Sequence, residues 1–222
     1  MNSEQIGDYL DRGLQSYLRG DYRAAIRNFR RVLELNPNDA EMYCKLAEAS
    51  IYNGDVEVAI SALEDGLRLR PDFASAYLRV GNAFQQCDLT ELAIWAYTQA
   101  LDLRPNDAIA RTNLGSVYYQ CLRFEEAIQC YQKSLELQPD WAVVYWMLGN
   151  ALFQTGKLPE AIARYQEAIR RQPNRPQFYL KLAEALSKVH RKEEAIANYQ
   201  TALNLDPEDR ETVLEKIREF PP

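Results

Sequence analysis

The sequence predicts an all-α fold built from repeated helix–turn–helix hairpins, and three observations carry that expectation. Prolines stand at Pro37, Pro71, Pro105, Pro139, Pro173 and Pro207, 34 residues apart without a slip. Within one period, Ala142–Arg175, the apolar residues Tyr145, Leu148, Gly149 and Leu152 recur at helical spacing, and Ala161, Ile162, Tyr165, Ala168 and Ile169 form a second stripe. Gly156 breaks the two stripes apart. Pro159 falls in the first turn of the second helix, where a missing N–H is tolerated, and Pro173 follows its end.

Taken in order, residues 1–5 read as a frayed lead, and six hairpins follow at 6–39, 40–73, 74–107, 108–141, 142–175 and 176–209. The first departs from the pattern at Arg12, where later copies carry Leu46, Val80, Leu114, Leu148 and Leu182. A terminal hairpin has no predecessor to pack against, so a polar outer side is expected there. Small residues mark the helix crossing: Gly13, Ala47, Gly81, Gly115, Gly149 and Ala183 on first helices, and Ala25, Ala59, Ala93, Ala127, Ala161 and Ala195 on second helices. Tyr97, Tyr131, Tyr165 and Tyr199 are expected to be core residues reaching the next hairpin. The turn inside each hairpin is read from Gly20, Gly54 and Gly156, which accept positive φ without strain. Asp88, Leu122 and His190 take that place elsewhere. Leu122 suits it poorly, so the fourth turn is either built differently or strained. After Asp209 one more amphipathic helix, 210–220, closes the apolar face of the sixth hairpin, and Phe220, Pro221 and Pro222 end it.

The period, with Tyr, Leu-Gly, Ala, an aromatic, Ala and Pro at fixed offsets, resembles the tetratricopeptide repeat (TPR), over about residues 6–209. The resemblance implies one right-handed α-solenoid, a superhelix of TPR hairpins, running through residues 1–222, with first helices lining a concave groove. It further implies a protein–protein interaction scaffold or adaptor that binds an extended peptide segment of a partner. Two other readings stay open: a self-associating assembly factor, for which a homo-oligomer is compatible, and an accessory subunit that recruits substrate to a separate enzyme.

Composition narrows the remaining classes. The single histidine, His190, leaves no base for most Ser/His or Cys/His schemes, and no Gly-rich phosphate loop is present, so the chain is not expected to be an enzyme. No cofactor and no metal site are expected. Acid pairs such as Glu125-Glu126 and Glu193-Glu194 open second helices, where the helix dipole favours them. Net charge is −6, and the basic patches at Arg27, Arg30, Arg31 and at Arg164, Arg170, Arg171, Arg175 are interleaved with acids, so a nucleic-acid partner is not expected. Cys44, Cys87, Cys121 and Cys130 read as free thiols. The N-terminal stretch lacks a signal-peptide pattern and no apolar run suits a membrane span. The expectation is a cytoplasmic protein without membrane insertion.

The candidate peptide-binding residues follow from the offsets that face the groove in a TPR array. They are Arg79, Asn82 and Gln86, then Asn113, Ser116, Tyr119 and Gln120, then Trp146, Asn150, Phe153 and Gln154. Amides can pair with the N–H and C=O groups of an extended backbone, while the rings supply apolar area. Trp146 and Phe153, seven residues apart, are expected to form one apolar pocket. Arg79 is expected to favour an acidic residue or a chain terminus. The carboxylate clamp of heat-shock-protein co-chaperones is incomplete here: Asn82 and Asn113 match, but Leu78, Val143 and Met147 replace its cations. The asparagine ladder of the O-GlcNAc transferase arm is matched only by Asn113.

Overall fold

The computed structural model describes residues 2–206 and 210–218, and within them the fold is all-α, with thirteen helices and no strand. Six hairpins pair α1 (Asn2–Leu18) with α2 (Tyr22–Leu35), α3 (Ala40–Tyr52) with α4 (Val56–Leu69) and α5 (Ala74–Gln86) with α6 (Thr90–Leu103). They continue with α7 (Ala108–Gln120) and α8 (Phe124–Leu137), α9 (Ala142–Gln154) and α10 (Leu158–Arg171), and α11 (Pro176–Lys188) and α12 (Lys192–Leu205). A final helix, α13, spans Arg210–Arg218. Pro207, the last residues of the sixth period and the end of the closing helix at 219–222 lie outside the described residues. The chain divides into two compact units, one ending at Asn106 and holding α1–α6, the other starting at Asp107 and holding α7–α13.

Every hairpin closes on the same turn. Gly20, Gly54, Asp88, Leu122, Gly156 and His190 all take φ between 58° and 86°. The following residue donates its N–H back to the helix, as Lys157 does to Leu152 O at 2.9 Å and Arg123 to Tyr118 O at 2.9 Å. This six-to-one bond satisfies a carbonyl that the helix end would leave open. The fourth turn is therefore built like the others, and Leu122 carries the strain while 74% exposed. A left-handed non-glycine residue costs about 1–2 kcal/mol, and glycine returns part of that as unfolded-state entropy. Leu122→Gly should accordingly stabilise the protein by about 0.5–1 kcal/mol in a urea titration. A loss of stability would mean that the exposed side chain is held by contacts worth more than the strain. His190, at φ 61°, is a turn residue as well.

Between hairpins the chain leaves each second helix before the proline and re-enters helix at an acid or a substitute. Asp39 caps α3 by accepting from Met42 N at 3.0 Å, and Asp107 caps α7 by accepting from Ala110 N at 2.9 Å. Each such cap is worth about 1 kcal/mol.

The crossing inside each hairpin is set by an aromatic ring lying on a glycine. A Cβ built on Gly13 would stand 2.5 Å from Phe29, and on Gly81, Gly115 and Gly149 it would meet Tyr97, Tyr131 and Tyr165 at 2.7, 2.8 and 2.5 Å. The tyrosines thus press on their own hairpin's first helix, a different contact from the one expected with the next hairpin. All three rings are buried, so their hydroxyls need partners. Tyr97 donates to Asn82 Oδ1 at 2.8 Å, Tyr165 to Asn150 Oδ1 at 2.9 Å, and Tyr131 reaches Ser116 Oγ at 3.4 Å. Each partner is the residue just after the glycine.

The second unit is closed at its far end by α13, whose Val213 is buried with Leu182, Leu186 and Tyr199 in one apolar cluster. An ion triad pins the same helix: Glu184 on α11 accepts from Lys181 at 2.8 Å and from Lys216 on α13. Burial opposes ionisation of Glu184, but these two hydrogen bonds outweigh it and hold the carboxyl below its ordinary value.

Candidate functional site

The groove-facing offsets lie on the first helix of each hairpin, and in the second unit they converge on a cavity of about 300 Å³. Ser116, Tyr119 and Gln120 line it from α7, Trp146, Met147 and Asn150 from α9, and Tyr131 from α8 beneath them. Residues three and four apart on a helix share a face, which is why each helix contributes a contiguous set. None of the seven lining side chains carries a formal charge at neutral pH. Burial pushes the Tyr131 phenol up to about 12, so it too stays neutral. The wall is therefore uncharged: the rings of Tyr119, Tyr131 and Trp146 and the Met147 side chain, with the hydroxyl of Ser116 and the amides of Gln120 and Asn150 among them.

The polar groups are oriented from inside. Asn150 accepts the buried Tyr165 hydroxyl through Oδ1, which assigns its amide N–H groups to the opposite side. Ser116 Oγ donates to Thr112 O at 3.0 Å and stands 4.0 Å from Met147 Sδ. Tyr119 is held edge-on against Phe124, with ring centroids 5.3 Å apart. Trp146 is half-buried and tilted against Phe178, centroids 6.1 Å apart. Its indole N–H is buried with no acceptor among the described residues.

Of the sequence-predicted residues, Ser116, Tyr119, Gln120, Trp146 and Asn150 are brought together here. Asn113, Phe153 and Gln154 sit on the same two helices but do not line the cavity. The expected pairing of Trp146 with Phe153 is replaced: the ring beside Trp146 is Phe178, and Phe153 packs as a half-buried side chain against the core. This cavity forms between two consecutive first helices, α7 and α9, so residues two turns apart on one of them need not share it. Met147 and Tyr131 are the lining residues that were not among the candidates. Tyr131 was assigned to the core, and it is both core and cavity wall.

In the first unit Arg79, Asn82 and Gln86 lie on α5. Arg79 is paired with Glu41 and Glu48 of the preceding hairpin. Its guanidinium loses solvation by burial, yet the surrounding carboxylates and Cys44 push its pKa upward. The expectation that Arg79 would call for an acidic ligand is thereby corrected, because two carboxylates already neutralise it. Asn82 holds the Tyr97 hydroxyl, and Gln86 Oε1 accepts from Tyr52 at 2.7 Å.

Elsewhere the chemistry is quiet. All four cysteines are free. Burial pushes the Cys130 thiol up to about 11 and raises Cys44 and Cys87 as well, away from the reactive thiolate. Among the described residues no group of three His, Cys, Asp or Glu side chains could hold a metal ion, and no helix is long and apolar enough to cross a membrane. Arg171, which stands where other periods carry leucine, lies 4.3 Å over the Tyr145 ring and donates to Pro139 O at 3.0 Å. It straps the end of α10 onto the preceding inter-hairpin turn.

Comparison with known proteins adds the family. The model of the cilia and flagella-associated protein 70 C-terminal domain, a TPR domain, matches residues 8–217. The chain belongs to that family. No curated protein matches the chain. Among solved structures, a crystal structure of the MamA protein is 29% identical over 77% of this chain and 93% of that one, with a TM-score of 0.61. The TPR protein YrrB, described as having an unusual peptide-binding site, is 19% identical over 86% and 98%, with a TM-score of 0.70. PilF of Pseudomonas aeruginosa is 20% identical over 99% of both chains, with a TM-score of 0.68. At these identities YrrB and PilF share the TPR fold of this family, and that fold is of the kind used to scaffold protein–protein interactions.

Proposed function

We propose that this protein is a non-catalytic scaffold that holds an extended peptide segment of a partner protein over the cavity between α7 and α9, with one uncharged apolar side chain of the peptide seated inside. The cavity supports the reading by its lining: seven side chains, three of them aromatic rings and none charged. A charged side chain placed there would lose hydration and gain no ionic partner. Asn150, whose oxygen is committed to Tyr165, offers N–H groups to backbone carbonyls of the peptide. A further support is that YrrB, of the same fold, is described as binding peptide. The groove-facing candidates run through the third, fourth and fifth hairpins; the proposed seat is confined to the fourth and fifth, with Arg79, Asn82 and Gln86 outside it.

An array of twelve-residue peptides that differ only at a central residue, flanked by Gly and Ser, tests this directly. Peptides with central Trp, Phe or Leu should be retained, those with Asp or Lys should not, and retention should vary little with salt because no ion pair is made. Equal retention of the charged peptides would sink the reading.

A further inference from the structure

A second surface, in the first unit and separate from the cavity, carries the exposed Trp95 against a half-buried tyrosine, among unpaired acids. Trp95 on α6 is 38% exposed, and its ring meets Tyr77 of α5 edge-on at 5.6 Å. The other periods carry Arg27, Ser61, Gln129, Ala163 and Ala197 at this offset, so hairpin packing asks for no large ring there. Glu91 lies four residues before Trp95, on the same exposed face of α6. Glu64, exposed on α4, is close enough that its charge adds to burial in holding the Tyr77 phenol above its ordinary value.

The cations of these helices are already used. α6 contains no Lys, Arg or His, and α4 and α5 contain only Arg68 and Arg79. Arg68 pairs with Asp65 at 2.8 Å, and Arg79 with Glu41 and Glu48. Glu64 and Glu91 have no ion-pair partner among the described residues. An electron-rich ring face beside uncompensated carboxylates attracts a cation twice over, through the ring quadrupole and through charge.

We propose that this face of α4–α6 docks a basic segment of a partner protein, with an arginine or lysine side chain lying over Trp95 and its charge answered by Glu64 and Glu91. The occupant is set by charge complementarity: an acidic or purely apolar segment would leave both carboxylates unanswered.

The test measures binding of the labelled peptide Gly-Arg-Gly-Arg-Gly-Arg-Gly, and of its glutamate counterpart, to the full chain by fluorescence anisotropy. The arginine peptide should bind and the glutamate peptide should not. Trp95→Ala should weaken binding about fivefold, the value of an exposed cation–π contact. Glu64→Gln/Glu91→Gln should weaken it by a similar factor. Glu4→Gln/Asp11→Asn, which removes the same charge from α1, should leave affinity within about twofold, and circular dichroism melts should show all variants folded. Equal weakening by the α1 variant would overturn the proposal in favour of attraction to net charge. Wild-type affinity in Trp95→Ala would also overturn it, since the ring would then have no part. Neither outcome bears on the cavity between α7 and α9.

Discussion

Gly149→Ala should destabilise the protein by about 2 kcal/mol, although the same change in an open helix is worth about 1 kcal/mol in its favour. The added Cβ would stand 2.5 Å from Cε1 and 2.7 Å from Cδ1 of Tyr165, whose ring is fully buried. Ring or helix must move, and overpacking of this kind costs about 1–3 kcal/mol or more. Moving Tyr165 also disturbs its hydrogen bond to Asn150. The second period carries a pair without the clash, Ala47 with Leu63 at the same two positions. Gly149→Ala/Tyr165→Leu should therefore cost at least about 1 kcal/mol less than the sum of the single variants. Strict additivity in urea melts would mean that the ring does not press on this glycine.

Trp146→Ala should weaken binding of the best Trp- or Phe-centred array peptide by about 2 kcal/mol, roughly thirtyfold, as expected of an aromatic anchor. Trp146 lines the cavity and also packs on Phe178, so the variant should lose stability too, by about 1–2 kcal/mol. Two controls separate these effects. Phe153→Ala removes a half-buried ring from the same helix outside the cavity, and should lower stability while leaving affinity unchanged. Tyr119→Ala removes the facing wall and should weaken binding as Trp146→Ala does. If Phe153→Ala and Trp146→Ala reduce affinity equally, the effect is one of fold integrity and the cavity is not the seat.

The repeat architecture was legible because it rests on local rules. Prolines that stop helices and small residues at crossings each leave a mark at one position, and six copies repeat it. The turn at Leu122 was ambiguous for an energetic reason: strain of about 1–2 kcal/mol is less than the packing of a hairpin, so side-chain preference could not decide the backbone there. The cavity was half legible. Helix offsets identified Ser116, Tyr119, Gln120, Trp146 and Asn150, but the share taken by each depends on how α7 and α9 sit against one another. Arg79 was misread because its two acids, Glu41 and Glu48, belong to the preceding hairpin, where only a rotamer brings them together. Tyr131 hid behind its repeat position, since a ring that is core on one side can be a wall on the other.

The ring-on-glycine crossing also bears on how the chain finds its fold. Gly81 and Tyr97, Gly115 and Tyr131, and Gly149 and Tyr165 are each sixteen residues apart, so the tightest contact of a hairpin closes a short loop. No distant segment has to be located before packing begins to repay the lost chain entropy. Contacts this local belong to chains that fold in microseconds to milliseconds, and each hairpin offers its own starting point. A chain still emerging from the ribosome can thus complete one crossing about every 34 residues, burying its apolar stripes as it lengthens.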